Sequence, residues 1–195
     1  MLMALGQQFA QSPLFSKRIA LQVLQGDAFT WQQLLKKTQQ ISTYLQYLGV
    51  KPQNGIALCG KNRLELVLFY LAAIQIGARV LMLNPMFPLE KRIALCQSYN
   101  ADFFFTTDHE ECVAESQKCG EIFRCFFTFS DAIKQAEKIE AFGDFPVNLT
   151  QPATMTLTSG STGLPKAVVH NAQAHYANAQ GVCDLMQFGA TDSWL

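Results

Sequence analysis

A chain of 195 residues can hold one large domain or two small ones, and an apolar share of 49% is enough for a sizeable core. Fifteen Lys and Arg balance fifteen Asp and Glu, so charge makes no case for nucleic acid or an anionic membrane as a partner. The opening Met1-Leu2-Met3-Ala4-Leu5-Gly6 lacks the basic segment and apolar run of a signal peptide, and the most apolar stretch, Leu64 to Ile76, is too short to span a bilayer, which makes the cytoplasm the expected compartment.

Ile19-Ala20-Leu21-Gln22-Val23-Leu24, the turn residues Gln25-Gly26-Asp27, and Ala28-Phe29-Thr30 predict a β-hairpin. Thr30 and Gln33 have capping-box spacing for the next helix. Its Leu34, Ile41, Leu45 and Leu48 recur at helical intervals up to Gly49, with Pro52 beyond. A strand is expected at Ile56 to Cys59, a buried helix from about Arg63 to Ile76 stopped by Gly77, and a strand at Arg79 to Leu83. Pro88 suits the first turn of a further helix reaching Tyr99, and Asp102 to Thr106 reads as a strand. Repeated strand–helix–strand order predicts an α/β layered fold, a mostly parallel sheet flanked by helices. Between Glu140 and Pro152, Gly143, Pro146, Asn148 and Pro152 punctuate a connector. After it come strand-like Thr154-Met155-Thr156-Leu157, a second strand at Ala167-Val168-Val169, and a helix beginning near Asn171.

Between those last two strands lies Thr158-Ser159-Gly160-Ser161-Thr162-Gly163-Leu164-Pro165-Lys166. Glycines let a backbone approach an anion closely and turn its N–H groups inward, hydroxyls add donors, and a lysine adds charge. A loop of this composition can also be an ordinary surface turn; the ordered string of hydroxyls, glycines and lysine favours a polyphosphate site. It is not a Walker A loop, because Lys166 follows Pro165 and leads into a strand. The helix-dipole account of anion binding therefore does not apply. Backbone N–H groups, hydroxyls and Lys166 are left to hold the phosphates.

This string resembles the phosphate-binding signature of the adenylate-forming superfamily: acyl- and aryl-CoA synthetases, luciferases and peptide-synthetase adenylation domains. Leu48-Gly49-Val50-Lys51-Pro52 with Gly55-Ile56-Ala57-Leu58, and Ala73 to Pro85, are similar to the superfamily's earlier segments. Thr154 to His170, with Gln173-Ala174-His175 and Ala179-Gln180-Gly181-Val182, looks most like its o-succinylbenzoate–CoA ligase branch, which serves menaquinone synthesis. The resemblance implies an N-terminal portion of a large AMP-binding domain. Its divisions are expected at 1–140 (an α/β subdomain), 141–152 (the connector), 153–170 (the phosphate strand–loop–strand) and 171–195 (the start of the next subdomain). Ser193-Trp194-Leu195 looks like the opening of a strand. The small C-terminal domain, the adenine and ribose motifs and most of the acyl pocket are expected beyond Leu195, so these 195 residues alone are expected to be inactive.

The implied reaction has two halves. A carboxylate attacks the α-phosphorus of Mg²⁺-ATP to give an acyl-adenylate and pyrophosphate; coenzyme A then displaces AMP to give a thioester. The implied partners are a small carboxylic acid, ATP, Mg²⁺ and CoA, and a homo-oligomer is left open. Thr158, Ser159, Ser161 and Thr162 are implied as donors, Gly160 and Gly163 as the backbone allowance, and Lys166 as a point charge for the phosphates or for fixing the loop. Pro165 stiffens the exit, and Ala167 stands where relatives usually carry glycine. No catalytic residue is assigned. Alternatives are another acyl or aryl acid, an amino acid, or a truncated module that only binds nucleotide or a partner.

Other candidates carry bland readings. Many relatives have a histidine six residues after the motif lysine, where this chain has Ala172; His170 and His175 are therefore expected to pack rather than react. Asn84-Pro85 should shape a strand-end turn, and Cys183 and Met186 should face the core. Cys59, Cys96, Cys112, Cys119, Cys125 and Cys183 form no Cys-x-x-Cys pair, and His109 with Cys112 lacks a second pair, so reduced and mostly buried thiols are expected, with no metal site.

Overall fold

The computed structural model describes residues 10–24, 26–107, 112, 116–140, 148–158, 164–189 and 192. Strands β1 (Ile19–Gln22) and β2 (Ala28–Thr30) form an antiparallel hairpin of their own. Helix α1 (Trp31–Tyr47) starts from the expected capping box: the Thr30 hydroxyl accepts from the Gln33 amide at 3.2 Å, and the Thr30 amide donates to Gln33 Oε1 at 2.9 Å. These bonds satisfy amides that a helix start leaves without intrahelical partners. Leu34, Ile41 and Leu45 are buried along one face, as their spacing predicts. Gly49 adopts φ of 88° just past the helix end, the left-handed conformation glycine enters without penalty.

The remaining elements alternate. Strand β3 (Gly55–Cys59) leads through α2 (Leu64–Gln75) to β4 (Arg79–Leu83), and α3 (Leu89–Ser98) leads to β5 (Ala101–Thr106). Pro88 is the N-cap of α3 instead of a first-turn residue; its carbonyl accepts the Arg92 amide. Three further elements had no counterpart in the expectations: α4 (Ser116–Ile122), β6 (Cys125–Thr128) and α5 (Phe129–Ala136). Strands β7 (Pro152–Thr158) and β8 (Lys166–Asn171) follow, then α6 (Ala172–Met186), capped by the Asn171 side chain on the Ala174 amide at 2.8 Å. The opening and tail segments, including Ser193 to Leu195, and most of the 141–152 connector lie outside the described residues.

Six strands form one sheet in the order β6-β5-β3-β4-β7-β8, parallel throughout except for β8 against β7. The chain crosses from β3 to β4 on one side and returns to place β5 on the other. Right-handed crossovers then put α2 and α5 on one face and α3 and α4 on the other. Side-chain alternation along β3 matches this. Ile56 and Leu58 join the core under α1, α2 and α5, while Ala57 and Cys59 join the core under α3 and α4. Phe69 of α2 meets Phe105 at 4.8 Å and Phe129 at 5.0 Å between ring centroids on the first face. Phe104 meets Phe123 and Phe126, each at 5.2 Å, on the second. Each fully buried ring contributes about 1.5–3 kcal/mol by burial. Gly55 must be glycine for a local reason: a Cβ there would run into the carbonyl of Asn100 at the start of β5.

The expectation that Cys183 and Met186 face a core is not met. Cys183 is exposed and Met186 is 56% exposed, since Ala172 is the one residue of α6 that is buried among those described. Their helical spacing alone could not show whether anything covers that face.

Candidate functional site

β7 runs parallel to β4, so its last residue, Thr158, reaches the carboxyl edge of the sheet. That edge is where open α/β sheets bind ligands. The chain leaves β7 there, makes the glycine-rich loop and re-enters at β8 in antiparallel register, with Thr158 opposite Lys166. The two expected strands are thus present. Ser159, Gly160, Ser161, Thr162 and Gly163 lie outside the described residues, and the structure places the two ends of the loop. Across those ends the Thr158 hydroxyl donates to the Lys166 carbonyl at 3.2 Å. The Lys166 side chain is exposed, and among the described residues no carboxylate forms a salt bridge with it. The donor set has the chemistry of an anion site: hydroxyls, glycine amides and one ammonium, with no acidic residue from Thr158 to Lys166.

Sequence reasoning missed one neighbour of this loop. The Tyr99 hydroxyl donates to the Pro165 carbonyl at 2.8 Å and accepts from the Ala167 amide at 3.0 Å. No local signal could have found it, because its partners are 66 and 68 residues away.

The two histidines sit at the far end of the hairpin. His175 Nε2 lies 2.6 Å from the Thr154 hydroxyl, and its ring centroid is 5.6 Å from that of His170. Burial, and then the nearby His170, hold the His175 pKa below its ordinary value. This agrees with a packing role. Asn84 shapes the turn after β4, its side chain accepting the Met86 amide at 2.9 Å. Among the cysteines, Cys59, Cys96, Cys119 and Cys125 are buried, Cys112 is half-buried and Cys183 is exposed. Burial first, and then the neighbouring Cys59, push the Cys96 thiol up to about 12, and burial followed by Cys112 does the same to Cys125. Among the described residues no cluster of three or more His, Cys, Asp or Glu could hold a metal ion, and no helix is long and apolar enough to cross a membrane.

A cavity of about 420 Å³ lies elsewhere. It lies on the first face of the sheet, lined by Leu34, Val67, Tyr70, Leu71, Ile74 and His175 among others. The Tyr99 contact with the loop belongs to the second face, where Leu157 and Ala167 also pack. The cavity and the loop ends are therefore distinct places.

The family model described as AMP-binding enzyme matches residues 9–195, nearly the whole chain. The chain belongs to the AMP-binding enzyme family. Among family members, it is 44% identical over 189 residues to a 2-succinylbenzoate–CoA ligase of Haemophilus influenzae, covering 97% of this chain and 36% of that protein. It is 35% identical over 172 residues to the ligase of the same name from Escherichia coli K12, covering 88% of this chain and 35% of the relative. The chain thus spans about a third of the length of these curated relatives. A solved structure of the Bacillus subtilis o-succinylbenzoate CoA synthetase, in complex with ATP and magnesium ion, superimposes with a TM-score of 0.78. It is 22% identical and is covered over 48% of its length by 96% of this chain; at that identity the likeness speaks for the AMP-binding fold alone.

Proposed function

We propose that this chain is the amino-terminal part of an ATP-dependent acid–CoA ligase that converts o-succinylbenzoate to o-succinylbenzoyl-CoA in menaquinone synthesis, in the cytoplasm. The observation that carries the reading is the 44% identity to a ligase of that name along 97% of this chain, with the glycine-rich loop emerging at the carboxyl edge of the sheet. Matches at 28% to parts of gramicidin and bacitracin synthases keep an amino-acid adenylating enzyme as the second reading.

In this reading the loop holds the β- and γ-phosphates of ATP. Thr158, Ser159, Ser161 and Thr162 present hydroxyl and amide donors, Gly160 and Gly163 let the backbone close on the anion, and Lys166 adds its charge. As the acid attacks the α-phosphorus, charge builds on the departing pyrophosphate. Fixed donors aimed at it stabilise that developing charge more than the ground state, which lowers the barrier. A magnesium ion on the same phosphates would share in neutralising this charge. The acid, the ribose and adenine, and CoA are gripped by groups outside residues 1–195. The divisions at 1–140, 141–152, 153–170 and 171–195 follow from the same reading, the loop hairpin being the piece that joins two subdomains.

The test is a panel of carboxylic acids offered to the full-length protein with Mg²⁺-ATP and CoA, following pyrophosphate release and thioester formation. Release that depends on o-succinylbenzoate is expected. Turnover of another acid with none of o-succinylbenzoate would remove the substrate assignment, and an amino acid as sole substrate would favour the second reading.

A further inference from the structure

The Tyr99 contact has a specific form. Tyr99 caps the end of α3, and the left-handed Asn100 (φ 52°) turns the chain from there into β5. This turn, together with packing of the ring against the core that also receives Leu157 and Ala167, sends the hydroxyl to the entry of β8. In an extended chain, the carbonyl of one residue and the amide two residues on point to the same side. Tyr99 uses this geometry: one hydroxyl donates to Pro165 and accepts from Ala167, bracketing Lys166. From β7, the Thr158 hydroxyl donates to the Lys166 carbonyl and the ladder pairs the two residues. The backbone of Lys166 is thereby held from two separate elements, α3 and β7, while its ammonium stays exposed.

We propose that Tyr99 is a positioning residue for Lys166, clamping the peptides on either side of it so that the ammonium meets the polyphosphate of Mg²⁺-ATP in a set geometry. This rests on the reading of the loop as the phosphate site. A lysine is a flexible point charge, and its backbone is the part that a scaffold can hold still. Where orientation matters, a misplacement of about 1 Å can cost about 100-fold in rate. The Tyr99 hydroxyl is engaged by the backbone on either side of Lys166, so its effect passes through Lys166.

The experiment compares Tyr99→Phe, Lys166→Ala and wild type in the full-length protein by ATP–pyrophosphate exchange, together with amide hydrogen exchange at Ala167. Tyr99→Phe keeps the ring and loses both hydrogen bonds. Faster exchange of the Ala167 amide is expected, with kcat for ATP–pyrophosphate exchange down about tenfold to 100-fold and KM for the acid unchanged. Loss of exchange in Lys166→Ala with Tyr99→Phe at the wild-type rate would overturn the assignment of Tyr99 and leave the loop reading standing. Wild-type exchange in both variants would overturn the loop reading and this inference with it. A Tyr99→Phe loss that merely tracks a smaller folded fraction, or an Ala167 amide as protected as in wild type, would also overturn it.

Discussion

β3 and β8 differ by one residue in length, and both carry small and branched apolar side chains, yet every residue of β3 is buried while Val168 and Val169 of β8 are 44% and 54% exposed. The difference lies in their neighbours. β3 has a strand on each side and helices on both faces, whereas β8 ends the sheet and, among the described residues, pairs with β7 alone. The interior strands form a scaffold whose side chains pack against the helices on its two faces. The β7–β8 hairpin is held along β7 by that scaffold, near its loop end by Tyr99 and at its base by the Thr154–His175 contact. On the proposed reading one region supplies stability and the other chemistry, so substitutions in the two should separate.

The largest separation is expected from Phe69→Ala. It removes a ring that meets Phe105 and Phe129, and should cost about 3–5 kcal/mol of stability by urea denaturation. A loss below about 1 kcal/mol would mean the scaffold is less closely packed than its contacts indicate. Lys166→Ala should do the reverse in the full-length protein. It should slow pyrophosphate release about 100-fold, by analogy with loss of a single transition-state donor, while leaving the urea midpoint in place. A shifted midpoint would blur the boundary between scaffold and hairpin.

Thiol labelling gives a gentler probe of the same contrast. Cys183 should react with an alkylating reagent in the native protein, while Cys96 and Cys125, buried and titrating near 12, should react only on unfolding. Mass spectrometry of the labelled peptides gives the order of reaction; early labelling of Cys96 would point to an open scaffold.

His175 should add a pH dependence to the hairpin's base. Its pKa in the folded chain is lowered by burial and then by His170, so the unfolded chain binds more protons between that lowered value and 6.5. Stability contributed by keeping the ring neutral is therefore present above 6.5 and is lost as pH falls through the folded value. His175→Gln should flatten this part of the stability profile, and an unchanged slope would count against it. The smallest effect is expected from Val168→Ser, within about 0.5 kcal/mol by the same denaturation, because exposed positions away from special contacts are nearly neutral.

Much of the architecture was legible because its signals are local. The Thr30–Gln33 box, the apolar spacing along α1, the glycines at 49 and 77, and the bounds of β4 need only a few neighbouring residues to be read. The stretch from 116 to 136 was not legible for the opposite reason. β6 has four residues and α5 eight, too few for a clear period, and their burial depends on Phe104 and Phe69 from other elements. Cys183 and Met186 failed differently. Their residue types suggested burial, but no residue near them in sequence could report whether that face of the helix is covered.

The candidate site divides along the same line. The sequence by itself determined the chemistry, since hydroxyls, glycines and a lysine without a carboxylate can be counted in nine consecutive residues. It also determined that the loop sits between two strands, because β-branched runs flank it. Only the tertiary structure decided that the loop opens at the carboxyl edge, which follows from β7 lying parallel to β4. Only it could bring Tyr99 across 66 residues to the Pro165 carbonyl. Side-chain chemistry is a property of each residue, whereas direction and long-range contact exist only once the crossovers have placed the strands side by side.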